Sequence, residues 1–201
     1  MKNERESRRA GERAKRQSKA QGAKHRGKGE EGVFHAKRYA RRGHVGYTKL
    51  VLFDIDGTIM DTDGAGQQSF VTALNTVFDR AFSVEGYSTS GKTDTQIAIE
   101  LGERSDVSEA EMIDRLDEVR ELYLSGLKVE LAGITPTVFT GVRELVSSVS
   151  EHSGCVTGLL TGNFEPGAWM KLDRIDLTEP FQMGSFGDGA RARKDLPGKA
   201  V

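Results

Sequence analysis

The sequence is poor in residues that cross-link or stiffen a chain. It has 201 residues, of which one is cysteine, four are proline and 7% are aromatic. A single cysteine, Cys155, cannot form an internal disulfide, which is typical of proteins from a reducing compartment. No apolar run approaches the roughly 20 residues that a membrane-spanning helix needs. We therefore expect a cytoplasmic protein with no membrane partner.

Charge is distributed unevenly along the chain. The formal net charge is -1, yet residues 1–48 hold 15 Lys/Arg against 5 Glu, and residues 49–201 hold 14 Lys/Arg against 25 Asp/Glu. Beyond the initiator methionine, the apolar residues of the first 32 positions are glycines and alanines. Such a segment cannot bury enough surface to offset the entropy lost on ordering. The pattern predicts a basic disordered tail over residues 1–48 and a globular part from Lys49.

The basic tail has two interpretations. Lysine and arginine near phosphates release counterions, so a tail of this charge is suited to contact with a nucleic acid. However, aromatic residues that would stack on bases are missing before Phe34. A solvated tail is the plainer interpretation, and nucleic-acid binding through residues 1–48 stays as the alternative.

Two carboxylates follow a short apolar run at the start of the globular part. The run LVLF, residues 50–53, is typical of a strand covered on both faces, as in a parallel sheet flanked by helices. Asp54 and Asp56 come directly after it, with Gly57 and Thr58 behind them. The sequence therefore predicts two acids at the carboxyl end of a buried strand.

Helical patterns alternate with further strands downstream. We predict helices over 65–82, from a Thr93 cap to residue 101, from a Ser108 cap to about residue 130, over 142–149 and over 166–175, with strands over 155–160 and 181–186. Helices between strands imply parallel pairing, and ligands bind at the carboxyl edge of such sheets. Thr161 follows the second strand, so we expect it to converge with Asp54.

These motifs resemble those of a known family. FDIDGT, residues 53–58, resembles the first motif of the haloacid dehalogenase-like hydrolases, and LLTGN, residues 159–163, resembles their second. The resemblance implies an α/β fold, with a Rossmann-like parallel sheet core over 49–62 and 136–201. It also implies an inserted α-helical cap over 63–135, as in phosphoglycolate phosphatase-like members. GKTD, residues 91–94, resembles a cap loop that faces the substrate.

The resemblance also implies a chemistry. The chain is expected to be a Mg²⁺-dependent phosphatase that acts on a small phosphate monoester through an aspartyl-phosphate intermediate. Asp54 would be the nucleophile, and Asp56 would be first the acid and then the base. Both would bind the metal, Asp54 by its carboxylate and Asp56 by its backbone carbonyl. The residues implied to contact the substrate or fix the turn are Gly57, Thr58, Lys92, Thr161, Gly162 and Asn163.

The chain departs from the family pattern near its end. The third motif supplies a Lys or Arg, and by register Arg193 is preferred to Lys194. The fourth motif is an acidic loop that follows another strand, and it is missing: after Arg193 the only acid is Asp195. Asp188 precedes the expected base, so it does not replace that loop. The core is therefore expected to be incomplete at the C-terminus, and the Mg²⁺ site to lack one acid.

Several alternatives remain open from the sequence. A calcium loop is disfavoured because the twelfth position from Asp54 is Ala65, not Glu. A phosphomutase would use the same two acids as a phosphatase. A truncated, non-catalytic remnant or binding module would keep the fold without turnover. Sugar phosphates, phosphoglycolate and nucleotides are all compatible substrates, and the oligomeric state is not determined.

Overall fold

The computed structural model describes residues 49–199 of the chain. The predicted tail over residues 1–48 lies outside the described residues. The elements are, in chain order, β1 (Lys49–Phe53), β2 (Met60–Asp61), α1 (Ala65–Phe78), α2 (Asp94–Glu103), α3 (Glu109–Asp114), α4 (Leu116–Gly133), β3 (Thr137–Val138), α5 (Val142–Glu151), β4 (Cys155–Leu160), α6 (Glu165–Asp173) and β5 (Met183–Ser185). Two short 3₁₀ helices follow, Arg193–Asp195 and Pro197–Lys199.

A parallel sheet with the strand order β1-β4-β5 forms the base of the fold. Phe53 pairs with Leu159, and Leu160 pairs with Ser185, so all three strands end at the same edge. The predicted parallel pairing is confirmed. The expected complete burial of β1 is wrong, because Leu50 is 39% exposed. Among the described strands of this sheet β1 pairs with β4 alone, and a strand at a sheet edge has fewer neighbours to cover it.

A short antiparallel pair links the two ends of the helical region. In this pair β2 runs beside β3, with Met60 opposite Val138 and Asp61 opposite Thr137. Two residues per strand are too few for an alternating pattern to be visible in the sequence, and this pair was not predicted. It brings the chain into and out of the helices at one place.

The helices α1 to α4, residues 65–133 and called the helical segment below, pack around their own apolar cluster. The Phe70 and Tyr123 rings of α1 and α4 meet edge to face, 5.2 Å apart. The two helices approach closely at Gly126, where an added Cβ would lie in ordinary contact with Ser69 Cβ at 3.4 Å. The predicted caps are present: Gln96 N donates to Thr93 Oγ1, and Glu111 N donates to Ser108 Oγ. No helix among the described residues is long and apolar enough to cross a membrane.

Two predicted helices have different bounds in the structure. The first ends at Phe78, since Asp79 is left-handed with φ 48°. Phe82 is buried beyond that end, and its amide donates to Asn75 Oδ1. The predicted helix over 108–130 is divided at Arg115. In both cases the helical spacing of apolar residues in the sequence continues past the point where the helix ends. A residue in the following loop can pack into the same apolar cluster, so the spacing alone does not show the break.

The helical segment packs on the carboxyl edge of the sheet. Phe164, which follows β4, is buried among the helical segment's apolar residues. The centre of its ring lies 6.4 Å from that of Phe70 and 6.1 Å from that of Tyr123. Arg174, after α6, donates to the carbonyls of Leu131 and Ile134 at 2.8 Å. These contacts place the helical segment over the strand ends that carry Asp54 and Thr161.

Candidate active site

Asp54 lies where β1 ends, and a distant arginine faces it. Arg193 Nη2 is 2.5 Å from Asp54 Oδ2, and both side chains are about a quarter exposed. The same nitrogen lies 3.4 Å from the carbonyl of Leu160, at the end of β4. Arg193 belongs to the short 3₁₀ helix after β5. Parallel strands thus bring together an acid and a base that are 139 positions apart.

A tight turn carries Asp56 beyond the strand. Gly57 has φ 75°, a left-handed conformation that glycine adopts without strain. Its amide donates to Met60 O at 3.0 Å, and Thr58 N donates to Ile55 O at 3.2 Å. Ile55 is completely buried. The buried Ile55 anchors the turn between the two acids, and about half of the Asp56 side chain, 46%, is exposed.

Lys171 is the main partner of Asp56, and the sequence prediction missed it. Its ammonium donates to Asp56 Oδ1 at 2.8 Å, to Oδ2 at 2.7 Å and to Asn163 Oδ1 at 2.7 Å. Only 4% of the Lys171 side chain is exposed. The residue lies on the same face of α6 as the buried Ala168 and Leu172. A lysine on an apolar helix face was the signal available in the sequence.

The neighbours of Asp56 keep it ionised. Burial raises the pKa of Asp56, but the charge of Lys171, hydrogen bonds from Lys171 and Asn163, and the charge of Arg193 together outweigh burial and lower the pKa below 3.8. A carboxylate in this state accepts a proton readily only when another anion approaches. Asp56 is therefore ionised in the free protein, and it can donate a proton only after an approaching anion has raised its pKa.

Thr161 and Asn163 extend this network at the end of β4. Asn163 Nδ2 donates to Asp56 Oδ2 and to Thr161 Oγ1, each at 2.7 Å. Thr161 is completely buried, and its hydroxyl also accepts from Asn163 N at 3.3 Å. Because the oxygen accepts these bonds, its own proton is available to donate into the space that Thr161 and Asp54 both line.

The GKTD loop, residues 91–94, docks on the sheet edge through its backbone. Asp94 N donates to Gly162 O at 2.7 Å, and Asp94 Oδ2 accepts from Phe164 N at 2.8 Å. The hydroxyl of Thr93 donates to Ala190 O at 2.6 Å. A Cβ on Gly162 would lie 2.0 Å from Lys92 O, so only glycine permits this approach. The loop therefore contacts the loops that follow β4 and β5.

Asp94 is an unusual carboxylate in this loop. Its pKa is raised to about 7, chiefly by burial; Lys171 and the amide of Phe164 oppose the rise, and Asp56 and Asp188 add to it. A substantial fraction of the side chain is therefore protonated near neutral pH. Asp94 was part of the GKTD resemblance, but its contact with Phe164 was not predicted.

Lys92, two residues before Asp94 in the loop, is held within the helical segment. Its ammonium lies 2.5 Å from Glu100 Oε2 and 4.0 Å from the centre of the Tyr87 ring. Hydrogen bonding to Glu100 raises the pKa of Lys92, and the same bond lowers the pKa of Glu100. Both groups are consequently charged at neutral pH.

One cleft of about 650 Å³ contains every site residue that the sequence singled out. It is large enough for a small phosphorylated molecule. The predicted residues that line it are Asp54, Asp56, Gly57, Thr58, Lys92, Thr161, Gly162, Asn163 and Arg193. Lys171 and Asp94 line it too, and the helical segment adds mainly Gln67, Phe70, Val71, Ile97 and Tyr123.

The acids available to a metal are few. Among residues 49–199 no group of three or more His, Cys, Asp or Glu side chains is placed to hold an ion. Asp188 instead accepts from Glu165 N at 2.6 Å and lies 3.5 Å from Arg120. Asp54 and Asp56 remain as hard oxygen donors, and this set suits Mg²⁺, which commonly binds one or two carboxylates together with substrate phosphate and water.

Comparison with protein families decides the identity of the fold. A model of the haloacid dehalogenase-like hydrolases matches residues 51–194, a span that includes both acids, Thr161 and Arg193. The chain belongs to this family. As a haloacid dehalogenase-like hydrolase it carries the family's α/β core, as the resemblance had implied. A comparison with curated proteins finds no match.

Several solved structures share the architecture at low identity. CbbY from Rhodobacter sphaeroides, in complex with phosphate, has a TM-score of 0.55 at 17% identity and covers 75% of this chain and 70% of its own. A predicted phosphatase from Clostridium acetobutylicum has a TM-score of 0.56 at 21% identity, covering 77% and 69%. A CbbY variant with xylulose-(1,5)-bisphosphate scores 0.55 at 16% identity, covering 75% and 70%. Likeness at this level establishes the fold.

Proposed function

We propose that this haloacid dehalogenase-like hydrolase is a phosphatase that cleaves a small phosphate monoester through an aspartyl-phosphate on Asp54. One observation carries the proposal. Asp54 and Asp56 line one cleft, and each forms an ion pair with a different cation. Arg193 pairs with Asp54, and Lys171 pairs with Asp56. Two acids with separate partners can take separate roles, one as nucleophile and one in proton transfer.

The first step transfers the phosphoryl group. An oxygen of Asp54 forms a bond to phosphorus while the ester P–O bond breaks, and Asp56 gives a proton to the departing alkoxide. Asp56 obtains that proton when the anionic ester approaches, because a neighbouring dianion raises the pKa of a carboxyl group. Arg193, Lys171 and the Thr161 hydroxyl would stabilise the charge on the phosphoryl oxygens.

The second step returns the enzyme to its starting state. Asp56, again ionised, takes a proton from water as the water oxygen attacks phosphorus, and the bond to Asp54 breaks to release inorganic phosphate. The ion pair with Lys171 favours this ionised state. Asn163 donates to the same carboxylate and holds it in the orientation that the incoming water needs.

Mg²⁺ is part of the proposal. Asp54 and Asp56 would hold it, and when bound it supplies positive charge next to the phosphoryl oxygens. The oxygen donors of these two residues fit a cation that retains water ligands. The remaining ligands would come from solvent and the phosphate.

We further propose that residues 63–135 act as a cap on a core formed by 49–62 and 136–201. The helical segment has its own apolar cluster and contributes one wall of the cleft. Substrate would enter when this wall lifts. The single cysteine supports a cytoplasmic location, and nucleic-acid binding by residues 1–48 remains a separate hypothesis.

The deciding experiment measures phosphate release from p-nitrophenyl phosphate by the purified 201-residue chain, with and without Mg²⁺. We expect metal-dependent turnover that falls by about 10⁴-fold or more in Asp54→Asn, because the nucleophile is lost. Asp56→Asn should still accumulate an acid-stable phosphoenzyme, since p-nitrophenolate leaves without protonation. Asp63→Asn is the matched control: Asp63 is exposed beside the cleft with φ 49°, which Asn tolerates.

The scarcity of metal ligands favours one second candidate. Because no group of three or more His, Cys, Asp or Glu side chains among the described residues is placed to hold an ion, the chain would be a module that binds a phosphate ester without hydrolysing it. Two results together would support this candidate over the phosphatase. The folded wild-type chain would show no turnover, and the Arg193→Gln variant would bind inorganic phosphate less tightly than the wild type does. Turnover equal in wild type and Asp54→Asn would exclude the proposed nucleophile.

A further inference from the structure

The cations of the cleft divide into two groups. Lys171 and Arg193 lie at the sheet edge beside the acids, where a phosphoryl group would be bound. Lys92 is the cation that the helical segment contributes to the lining, among the described residues. It lies on the wall that a leaving group would face. Whether its charge is available therefore determines which leaving groups the cleft accepts.

The Lys92 ammonium forms an ion pair with Glu100, a residue that does not line the cleft. Glu100 Oε2 is 2.5 Å from the ammonium and also accepts from the Tyr87 hydroxyl at 2.9 Å. Glu100 Oε1 accepts from Gln96 Nε2 at 2.7 Å. Both oxygens of Glu100 are thus engaged, and the Tyr87 ring lies 4.0 Å from the ammonium. Gln96 and Glu100 lie one turn apart on α2, and Lys92 and Tyr87 lie in the chain before that helix.

The charge of this wall is consequently neutralised. The side chains of Lys92 and Glu100 are 25% and 32% exposed, so water screens the pair only in part. Lys92 and Glu100 together carry no net charge. Asp94 also lines this wall, and its ionised fraction would repel an anion. The remaining lining side chains of this wall are neutral, and they include the hydroxyls of Thr89 and Ser90, the amide of Gln67, and the apolar side chains of Val71, Val84 and Ile97. A second anion on a substrate would meet no uncompensated cation here.

We propose that the substrate's leaving group is an uncharged alcohol, a small polyol or hydroxyalkyl group, and that Glu100 sets this preference by neutralising Lys92. The inference rests on the proposed phosphatase function and narrows its substrate class. Water and the ester R–O–PO₃²⁻ give the neutral alcohol R–OH and hydrogen phosphate. The hydroxyls and the amide of the wall hydrogen-bond the alcohol, and the apolar side chains contact its carbon atoms.

A matched pair of substrates tests the charge preference. The two esters 2-hydroxyethyl phosphate and phosphoglycolate differ only by a hydroxymethyl group in place of a carboxylate. We expect the wild type to have a kcat/KM about tenfold or more higher for the neutral ester. Glu100→Gln keeps the size of the side chain but frees the Lys92 charge, and should shift the ratio about 10- to 100-fold toward phosphoglycolate, the size of a charge-assisted hydrogen bond. Lys92→Met should shift the ratio the opposite way.

Controls separate this inference from the proposed function. Glu118→Gln makes the same change on an exposed pair with Arg115 and should leave the ratio at the wild-type value. Calorimetric binding of the two esters to Asp54→Asn reads the preference without turnover, so loss of hydrolysis alone counts against the phosphatase and not against charge selection. A wild type that prefers phosphoglycolate, or a Glu100→Gln ratio equal to that of the wild type, would overturn the role given to Glu100.

Discussion

The sheet edge and the GKTD loop hold their charged groups in different ways. At the sheet edge, Arg193 reaches Asp54 across 139 positions and Lys171 reaches Asp56 across 115. Around the loop, Lys92 reaches Glu100 across 8 positions. The first pairs depend on the whole parallel topology, whereas the second depends on one helix and the loop that precedes it.

In the proposed function, the sheet-edge groups act on the phosphoryl group and the Lys92–Glu100 pair selects the leaving group. Groups that act on the phosphoryl centre must keep fixed distances, and a sheet whose strands end together supplies them. A pair formed by one helix and the loop before it can change with few substitutions and without disturbing the sheet. Selectivity for the leaving group can therefore diverge while the reacting centre stays the same, and variants of the two regions should fail in different ways.

Lys171→Met removes the ion-pair partner of Asp56 at the sheet edge, and it should have the largest effect of the three substitutions that compare the two regions. Without Lys171, burial of Asp56 is opposed only by Asn163 and Arg193, so the pKa of Asp56 rises. We expect kcat/KM to fall about 10²- to 10³-fold, the usual loss for one charge-stabilising donor, and the acidic limb of the pH–rate profile to move to higher pH. Steady-state kinetics from pH 4 to 9 measure both.

The matched control for that prediction is Lys128→Met. Lys128 is exposed on α4, so the same substitution there should change neither the rate nor the profile. If Lys171→Met lowered kcat/KM without moving the acidic limb, Lys171 would act by a route other than the ionisation of Asp56.

The strand ends were predictable because they depend on short-range patterns. A continuous apolar run followed by Asp54 and Asp56 marks a strand and its carboxyl end, and the helix–strand alternation implies the parallel order that brings Thr161 alongside. Arg193 was reached through the family resemblance rather than through periodicity. The structure brings all four residues into one cleft.

The sequence does not show which groups the missed residues pair with. Lys171 can be noticed as a lysine on an apolar helix face, but only the packing of α6 against the sheet shows that its ammonium meets Asp56. Asp94 is adjacent to a predicted cap, but its contact with Phe164 depends on how the helical segment lies on the sheet. Such pairings follow from tertiary packing, which one sequence does not encode in its periodicity.

Gly162→Ala tests the junction of the two regions and should have an intermediate effect. The added Cβ would lie 2.0 Å from Lys92 O and 2.9 Å from its carbonyl carbon, both backbone atoms that cannot move aside cheaply. We expect the free energy of unfolding to fall by roughly 1–3 kcal/mol, as for other overpacked sites. Urea denaturation measures this, and amide exchange should increase in residues 91–95 first. Gly133→Ala, with open space around its Cβ position, should cause no such loss.

Asp94→Asn sharpens the comparison by removing the loop's own ionisable group, and its effect should be the smallest. The pKa of Asp94 is about 7 in the folded protein against an ordinary 3.8, so the folded state binds a proton that the unfolded chain has released. This contribution to stability is fully present below pH 3.8 and is lost as the pH rises through about 7.

The side chain of the Asp94→Asn variant does not titrate, and its amide oxygen can still accept a hydrogen bond from Phe164 N. The variant's free energy of unfolding relative to the wild type should therefore increase between pH 5 and pH 8 by roughly 1 kcal/mol, less than the full pKa shift would give because the side chain is partly exposed. Urea denaturation at the two pH values measures the difference. Asp114→Asn, on an exposed acid of α3, should show no increase. An Asp94→Asn curve parallel to that of the wild type would mean that the loop docks through its backbone amides and hydroxyls alone.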